Sequence, residues 1–463
     1  MGVVKDQGRT YDLEMPVVVV GAGGCGLTAA IAARDAGVDV LVLERDATPL
    51  GSTGMSTGLI PAAGTPEQAA AGIEDGGALF AADMIAKAGA TDAAIVRHIA
   101  DQSADTVALL QAHGVPLTLV DGFVYPGHSV RRMFGTPNRI GGELIAGLQQ
   151  AAEAAGAMIL CEATVETLFV DDARRITGIA FRRPDGAVET VGCGALILAC
   201  CGFGGNAEMV RQWMPEMGDA PYHGHPGNMG DAVAWGDALD ADLADMAAYQ
   251  GHGNLAAGYG IIVNWPSVIL GGFQLNFAGE RFYNESIGYS AAAAHVHAQP
   301  EHLAWTIFDS RIAETLAQFE DYQDALRSGA IVEADDVAAL ATATRLSVAA
   351  LEAALAETAA YTSGEATDPF GRDFTGHAPL AAPYRTVRVT GALLHTQGGL
   401  AVDKDARVLG VDGKVLPNLF AGGGAARGVS GAGAAGYIAG NGLLTATTLG
   451  KLAGRAAAAL TQA

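Results

Sequence analysis

The sequence predicts an α/β fold in which a parallel-sheet, nucleotide-binding domain is interrupted by an α+β insertion. Three observations predict it. A glycine-bearing strand–helix–strand unit lies at residues 16–46. The texture changes near residue 246 to aromatic- and histidine-rich chain followed by Ala/Glu helices. Strand texture returns near residue 384 and ends on a glycine-rich loop and a long small-residue helix. A chain of 463 residues is long for one core. The expected domains are therefore 1–245, 246–378 and 379–463, with the third segment completing the first.

The formal net charge is −23. Nucleic acid and anionic membrane surfaces both demand basic patches, so neither is an expected partner. The five cysteines show no C-x-x-C spacing and build neither a disulfide framework nor a metal knot. Cys193, Cys200 and Cys201 fall in or beside one apolar strand and read as small buried hydrophobes. No His/Cys/Asp cluster has metal-ligand spacing, so no metal is expected. The opening "MGVVKDQGRTYDLEMP" lacks a basic segment followed by an apolar one, and no apolar run reaches the roughly 18 residues of a membrane span. The expectation is a soluble, cytoplasmic protein.

The first unit is "PVVVVGAGGCGLTAAIAARDAGVDVLVLERD". Val17–Val20 is all β-branched and suits a strand buried on both faces. Gly21, Gly23 and Gly26 then form G-x-G-x-x-G, with Gly24 among them. The first glycine permits the tight turn, the second lets a pyrophosphate approach the backbone, and the third lets helix and strand pack closely. A second strand, Val38–Leu43, closes on Glu44, 23 residues after Gly21, where a carboxylate accepts both ribose hydroxyls. That acid disfavours a 2′-phosphate and leaves NAD or FAD. The hydroxyl-rich "PLGSTGMSTGLIPAAGT" selects FAD, because Ser52, Thr53 and Ser56 can wrap a long cofactor.

Helical spacing fills 67–113, and 121–142 is a loop dense in Gly, Pro and polar groups. A helix over 143–155 leads to two strands, a hairpin through Pro184-Asp185-Gly186, and a buried strand ending at Gly202. Another glycine loop opens a helix at about Asp231. "GERFYNESIGYSAAAAH" puts Tyr289 at the start of an alanine-rich helix, and Ala/Glu helices fill 333–360.

Taken in order, "VVVVGAGGCGLTAAI", "GSTGMSTGLI", "LILACCGFGGN", "GNMGDAV", "GERFYNES", "HTQGGLAVD" and "LFAGGGAARG" resemble the flavoprotein family of fumarate reductase and succinate dehydrogenase, which includes the 3-ketosteroid dehydrogenases. The resemblance covers nearly the whole chain. It implies a Rossmann-like FAD-binding domain interrupted by a cap, with FAD held non-covalently. Gly58, Arg45, Val165, Gly202, Asp231, Gly422, Gly423, Gly442, Leu443 and Leu444 join the residues above as its expected contacts.

Dicarboxylate reductases of this family have a proton-donating arginine about four residues after the "NE" of the cap motif; here that place is Tyr289. They also carry a clamping arginine in the C-terminal glycine loop, whereas this chain has none between Val429 and Asn441. Two carboxylates need cationic, preferably bidentate, partners, so a dicarboxylate substrate is not expected. A tyrosine after "NE" resembles the ketosteroid dehydrogenases, where it is the base. "GYIAGNG" is similar to the segment in the 4-ene-forming branch whose tyrosine holds the carbonyl oxygen, here Tyr437. The chain departs from that branch at Ala439, where the pattern has serine. It is also short for a steroid enzyme, so a smaller cyclohexanone-type ketone fits as well.

Desaturation beside a ketone needs an α-proton removed, a β-hydride delivered to flavin N5, and the carbonyl oxygen stabilised as it becomes enolate-like. Tyr289 is the expected base, and Tyr437 O–H with a backbone N–H near Gly440 the expected oxyanion site. Tyr125 is a relay. His395 and His252 sit where dicarboxylate reductases keep substrate-binding histidines, and Phe282 and His295 complete the substrate-contacting set. The expected partners are a small ketone and a diffusible electron acceptor or oxygen. The same residues run backwards make an enone or enoate reductase. A flavin-binding subunit without turnover is the remaining alternative.

Overall fold

Val17, Val18 and Val19 are fully buried because the strand Leu13–Val20 lies between two parallel neighbours, Val40–Leu43 and Val188–Leu198. In this computed structural model residues 2–122 and 124–463 are described; Phe123, within the loop 121–142, lies outside them. The chain folds as two units. One comprises Met1–Met214, Gly224–Tyr249 and His395–Ala463, the other Pro215–His223 and Gln250–Leu394.

The first unit is built on a nine-stranded sheet among the described residues. Its parallel core runs Met158–Leu160, Val40–Leu43, Leu13–Val20, Val188–Leu198 and Val415–Ala421. The strand Val188–Leu198 changes partner along its length. Its first half pairs antiparallel with Ile176–Arg182 through the expected hairpin, and its last residues pair parallel with Val415–Ala421. Gly2–Lys5 adds a strand parallel to Thr164–Val170 that sequence reading left unassigned; it is half exposed and shows no periodicity long enough to signal a strand.

Against this sheet the first helix, Gly24–Asp35, packs on the last, Asn441–Gln462. Their approach is set by small residues. A Cβ on Gly450 would fall 2.4 Å from the Cys25 carbonyl oxygen, and one on Gly454 2.2 Å from that of Ala29.

The second unit has its own six-stranded sheet, in the order Ile261–Ile262, Tyr249–Ala256, Tyr384–Thr396, Leu303–Asp309, Phe273–Leu275, with Ile331–Ala334 also paired to Tyr384–Thr396. The strand texture resuming at 384 thus belongs here as far as Leu394, because its residues pair along Leu303–Asp309. The segment opening 333–360 is strand up to Ala334, and the helices follow at Val337–Thr344 and Val348–Ser363. Buried ion pairs fix the loop before Tyr289. Arg281 bonds Glu285 at 2.5 Å and Asp368 at 2.7 Å, and Arg372 reaches Glu285 at 3.3 Å.

Among the described residues no single helix is long and apolar enough to cross a membrane. No group of three or more His, Cys, Asp or Glu among them could hold a metal ion.

Candidate active site

The nucleotide cradle follows from three glycines in three different settings. Gly21 has φ +103°, and a Cβ there would meet the Ala199 carbonyl oxygen at 2.6 Å. On Gly26 a Cβ would sit 1.8 Å from the Gly21 oxygen, so backbone packs on backbone. Gly23 differs: its Cβ would meet only Thr53 Oγ1, at 3.8 Å. The face above Gly23 is open, at the N-terminus of Gly24–Asp35, where free N–H groups and the helix dipole favour a phosphate.

Glu44 is buried and held by backbone, its Oε2 accepting from Ala22 N–H at 2.7 Å and its Oε1 from Asp46 N–H at 3.0 Å. Each oxygen keeps lone-pair capacity for a hydroxyl. Thr53 Oγ1 accepts from Gly24 N–H at 2.9 Å, and Ser52 Oγ accepts from Asn228 Nδ2 at 2.9 Å, which leaves the Ser52 hydroxyl hydrogen to donate. Ser56 is spent locally, donating to the Thr53 carbonyl and accepting from Gly58 N–H. Arg45 bonds Asp231 at 2.8 Å and the Gly227 carbonyl at 2.6 Å. Burial pushes the Asp231 carboxyl above its usual value, against the pull of Arg45. Val165 is buried in its strand, and Gly202 could carry no Cβ, which would lie 1.9 Å from Thr396 Oγ1.

Gly422 and Gly423 sit against Cys25, and Gly442 against the His395 ring, while Leu444 is buried and Leu443 half-buried at the start of the last helix. Asn441, fully buried in that first turn, has an Oδ1 without a hydrogen-bond partner. An open cradle, an oriented carboxylate and this acceptor fit a dinucleotide with a long polar chain, as FAD has.

The same unit brings together Tyr437, His395, Tyr125 and Gly440. Tyr437 is buried, and burial outweighs the opposing pull of the Gly442 and Gly440 backbone and keeps the phenol protonated well above its usual range. His395 stands edge-on to that ring, centroids 5.8 Å apart. Its Nδ1 lies 2.9 Å from Gln397 Nε2 and 3.1 Å from the Thr396 carbonyl. Ser430 donates to Gln397 Oε1 at 2.9 Å, which turns the Gln397 amide N–H to the ring; Nδ1 accepts from that amide in one tautomer and donates to the Thr396 carbonyl in the other. Tyr125 packs beside Met133 and Ala439, and burial raises its phenol against the opposing effect of Arg139. Arg427, just before the glycine loop, is already paired with Asp245 at 2.7 Å and Asp92 at 3.4 Å.

In the second unit Tyr289 is the first residue of the helix Tyr289–His297. Its ring stacks on His252, centroids 5.1 Å and planes 26° apart, and stands against Trp265 at 6.5 Å. His252 is buried and accepts from Asn254 N–H on Nδ1 at 3.1 Å, and burial drops its pKa to about 3. It is neutral with its proton on Nε2. Phe282 packs in the same cluster. His295, six residues along the helix and exposed, stacks on Tyr283 of the same cluster at 4.9 Å.

His128, Arg132, Gln397, Ser430, Asn441 and Trp265 were not singled out from the sequence. All but Arg132, Ser430 and Trp265 stand within five residues of a singled-out tyrosine or histidine. Arg132 is marked only by lying in a polar loop, although it is fully buried between Asp75 and Asp83.

A family model described as an FAD binding domain matches residues 16–443. A fumarate reductase (cytochrome) of Shewanella frigidimarina is 30% identical over 447 residues, covering 96% of this chain and 76% of that protein. The open conformation of a flavocytochrome c3 fumarate reductase superposes with a TM-score of 0.83 at 27% identity, covering 98% of this chain and 79% of the other. The 3-ketosteroid-Δ4-(5α)-dehydrogenase of Rhodococcus jostii RHA1 superposes with a TM-score of 0.78 at 26% identity, covering 98% of both. The chain therefore belongs to the FAD binding domain family, as an FAD-dependent oxidoreductase of the fumarate reductase type that acts on CH–CH or C=C bonds.

Proposed function

We propose that the protein desaturates a cyclic ketone, either a 3-ketosteroid or a smaller cyclohexanone-type compound such as an oxocyclohexanecarboxylate. The observation that carries this reading is Tyr437, a buried phenol that burial keeps protonated and that stands edge-on to His395. A buried, protonated phenol is suited to a carbonyl oxygen becoming enolate-like. Tyr289 takes the α-proton, its ring steadied by a neutral His252 that adds no competing charge. Tyr125 relays the proton. Bound FAD supplies the two-electron acceptor for the hydride.

Two findings support a ketone over a dicarboxylate. The "NE" motif is followed by Tyr289 where an arginine donor stands in dicarboxylate reductases, and Arg427 is engaged by Asp245 and Asp92. The structural likeness to a dehydrogenase crystallised with 4-androstene-3,17-dione supports the substrate class. FAD is held without a covalent bond: the Cys25 and Cys193 thiols are buried and pushed up to about 12, so they are protonated and poor nucleophiles. Electrons leave to a diffusible acceptor or oxygen.

The reverse reaction, reduction of an enone or enoate with Tyr289 as proton donor, is favoured by one observation, the fumarate reductases among the relatives. Anaerobic bleaching of the flavin by ketones from cyclohexanones to 3-ketosteroids, across pH 6 to 10, tests the proposal. Bleaching by one size class supports desaturation. Reoxidation of dithionite-reduced enzyme by enones or enoates, with no bleaching by any ketone, overturns it in favour of reduction.

A further inference from the structure

We propose that Asn441 is a contact of bound FAD: its side-chain oxygen accepts a hydrogen bond from the flavin half of the cofactor, and Ser430 and Gln397 are the positioning residues that turn it there. The inference needs only the FAD of the family, and it stands whether the substrate is a ketone or an enone.

The place of Asn441 follows from two helices. A Cβ on Gly450 would fall 2.4 Å from the Cys25 carbonyl oxygen, and one on Gly454 2.2 Å from that of Ala29. Residues four apart on one helix thus meet residues four apart on the other, in the same order. Helices Gly24–Asp35 and Asn441–Gln462 are therefore parallel and start at the same end. The first starts one residue before Cys25, the last nine residues before Gly450. At about 1.5 Å per residue, the last helix overhangs the first by roughly 10 Å. The phosphate site above Gly23 lies ahead of the first helix, so the overhang flanks the space into which FAD continues from its pyrophosphate.

The half that continues there is the flavin. Glu44, the ribose acceptor, follows Val40–Leu43 on one side of Leu13–Val20. The last helix packs against Val188–Leu198 and Val415–Ala421 on the other side. With the adenosine taken to Glu44, the ribityl chain and the flavin ring are left to pass the overhang.

Asn441 opens that overhang, and it is fully buried. Its Nδ2 donates to Ser430 Oγ at 3.2 Å, and the Ser430 hydroxyl donates in turn to Gln397 Oε1 at 2.9 Å. A hydroxyl has one hydrogen. Because Ser430 commits its own to Gln397, Asn441 meets it with the amide nitrogen, and Oδ1 is turned away. Gln397 is fixed by its backbone, which donates to the Ala248 carbonyl at 2.7 Å and accepts from Gly428 N–H at 2.8 Å. Asn441 Oδ1 has no hydrogen-bond partner. A buried acceptor left unpaired is costly, and a ligand donor removes that cost. The N-cap residue is Gly440, and no side chain caps the first N–H groups of the helix. A pyrophosphate carries no hydrogen to donate at neutral pH. The flavin half does, on its ribityl hydroxyls and on the imide N–H of the ring.

The test compares the full-length apoprotein of wild type and Asn441→Leu, which is close in volume and has no acceptor. Binding of FAD and of ADP is measured, together with apoprotein melting. ADP carries the adenosine and the pyrophosphate but nothing that reaches the overhang. FAD should bind Asn441→Leu about three- to tenfold more weakly, the worth of one hydrogen bond. ADP should bind both proteins equally, and the variant apoprotein should melt no lower, because an unpaired buried acceptor has been removed. Ser430→Ala frees the Asn441 amide to turn; it should weaken FAD binding less, with ADP binding held, and it replaces Asn441→Leu if that variant does not fold. FAD methylated at the ring imide nitrogen identifies the donor. A difference between wild type and variant that vanishes with this analogue assigns the ring N–H, and one that persists assigns a ribityl hydroxyl; both uphold the contact. Unchanged FAD affinity in Asn441→Leu, or FAD and ADP weakened alike, overturns the proposal.

Discussion

The imidazole of His252 lies flat against the phenol of Tyr289, centroids 5.1 Å apart, with the histidine buried and uncharged. A neutral ring steadies the tyrosine without adding a charge beside it. Replacing Tyr289 with Phe keeps this stack and removes only the acid–base group. Ketone-driven bleaching should fall about 10²–10⁴-fold, the usual worth of a positioned base, while FAD content and melting temperature hold. More than about a tenth of wild-type rate in Tyr289→Phe removes the tyrosine from the chemistry.

Tyr437→Phe should lower kcat about 10²–10³-fold with the flavin spectrum retained. Burial holds this phenol above its usual pKa, which is about 10. Its ionisation therefore adds no falling limb to the rate between pH 6 and 10. A limb in that range that disappears in Tyr437→Phe is the contrary result.

The three cradle glycines should separate under alanine substitution. Gly26→Ala forces a Cβ onto the Gly21 oxygen at 1.8 Å and should destabilise the fold itself. Gly23→Ala meets nothing closer than Thr53 Oγ1 at 3.8 Å, so the apoprotein should melt as wild type yet load little FAD. The ratio of flavin to protein absorbance, beside the apoprotein melting curve, distinguishes them. Full FAD content in Gly23→Ala places the pyrophosphate elsewhere.

Two buried histidines predict how stability depends on pH. His252 is held at about 3 and His128 at about 4, against an unfolded value near 6.5. The unfolded chain binds these protons before the native one does. Stability from these sites is full above about pH 6.5 and is lost as pH falls toward 4, continuing to about 3 for His252. The melting temperature should drop from pH 7 to pH 5, and less steeply in His252→Asn. A flat profile over that interval counts against both placements.

The nucleotide cradle was legible because each of its residues is dictated by local backbone geometry. Gly21, Gly26 and Glu44 sit at fixed spacings within one strand–helix–strand unit, and that spacing is the structure. Tyr289 was legible for a related reason, since an N-terminal helical position follows from the alanine run after Gly288. What was hidden arises where distant segments meet. Nothing near residue 128 announces that its ring reaches a carbonyl 311 positions later. Nor does a loop arginine declare that two aspartates will bury it. His295 reaches the cluster of Tyr289 through Tyr283, a contact between helix and preceding loop that helical spacing alone does not reveal.

The seating of Gly450 and Gly454 on the first helix has a consequence for how the protein is made. Helix Gly24–Asp35 is synthesised well before the helix that covers it, which begins at Asn441. At about 5–20 residues per second, roughly 20–80 s separate the two. Throughout that interval the nascent chain carries an apolar helix and an unfinished cradle with nothing to close them. Cofactor capture is thereby deferred until the helix Asn441–Gln462 has been made.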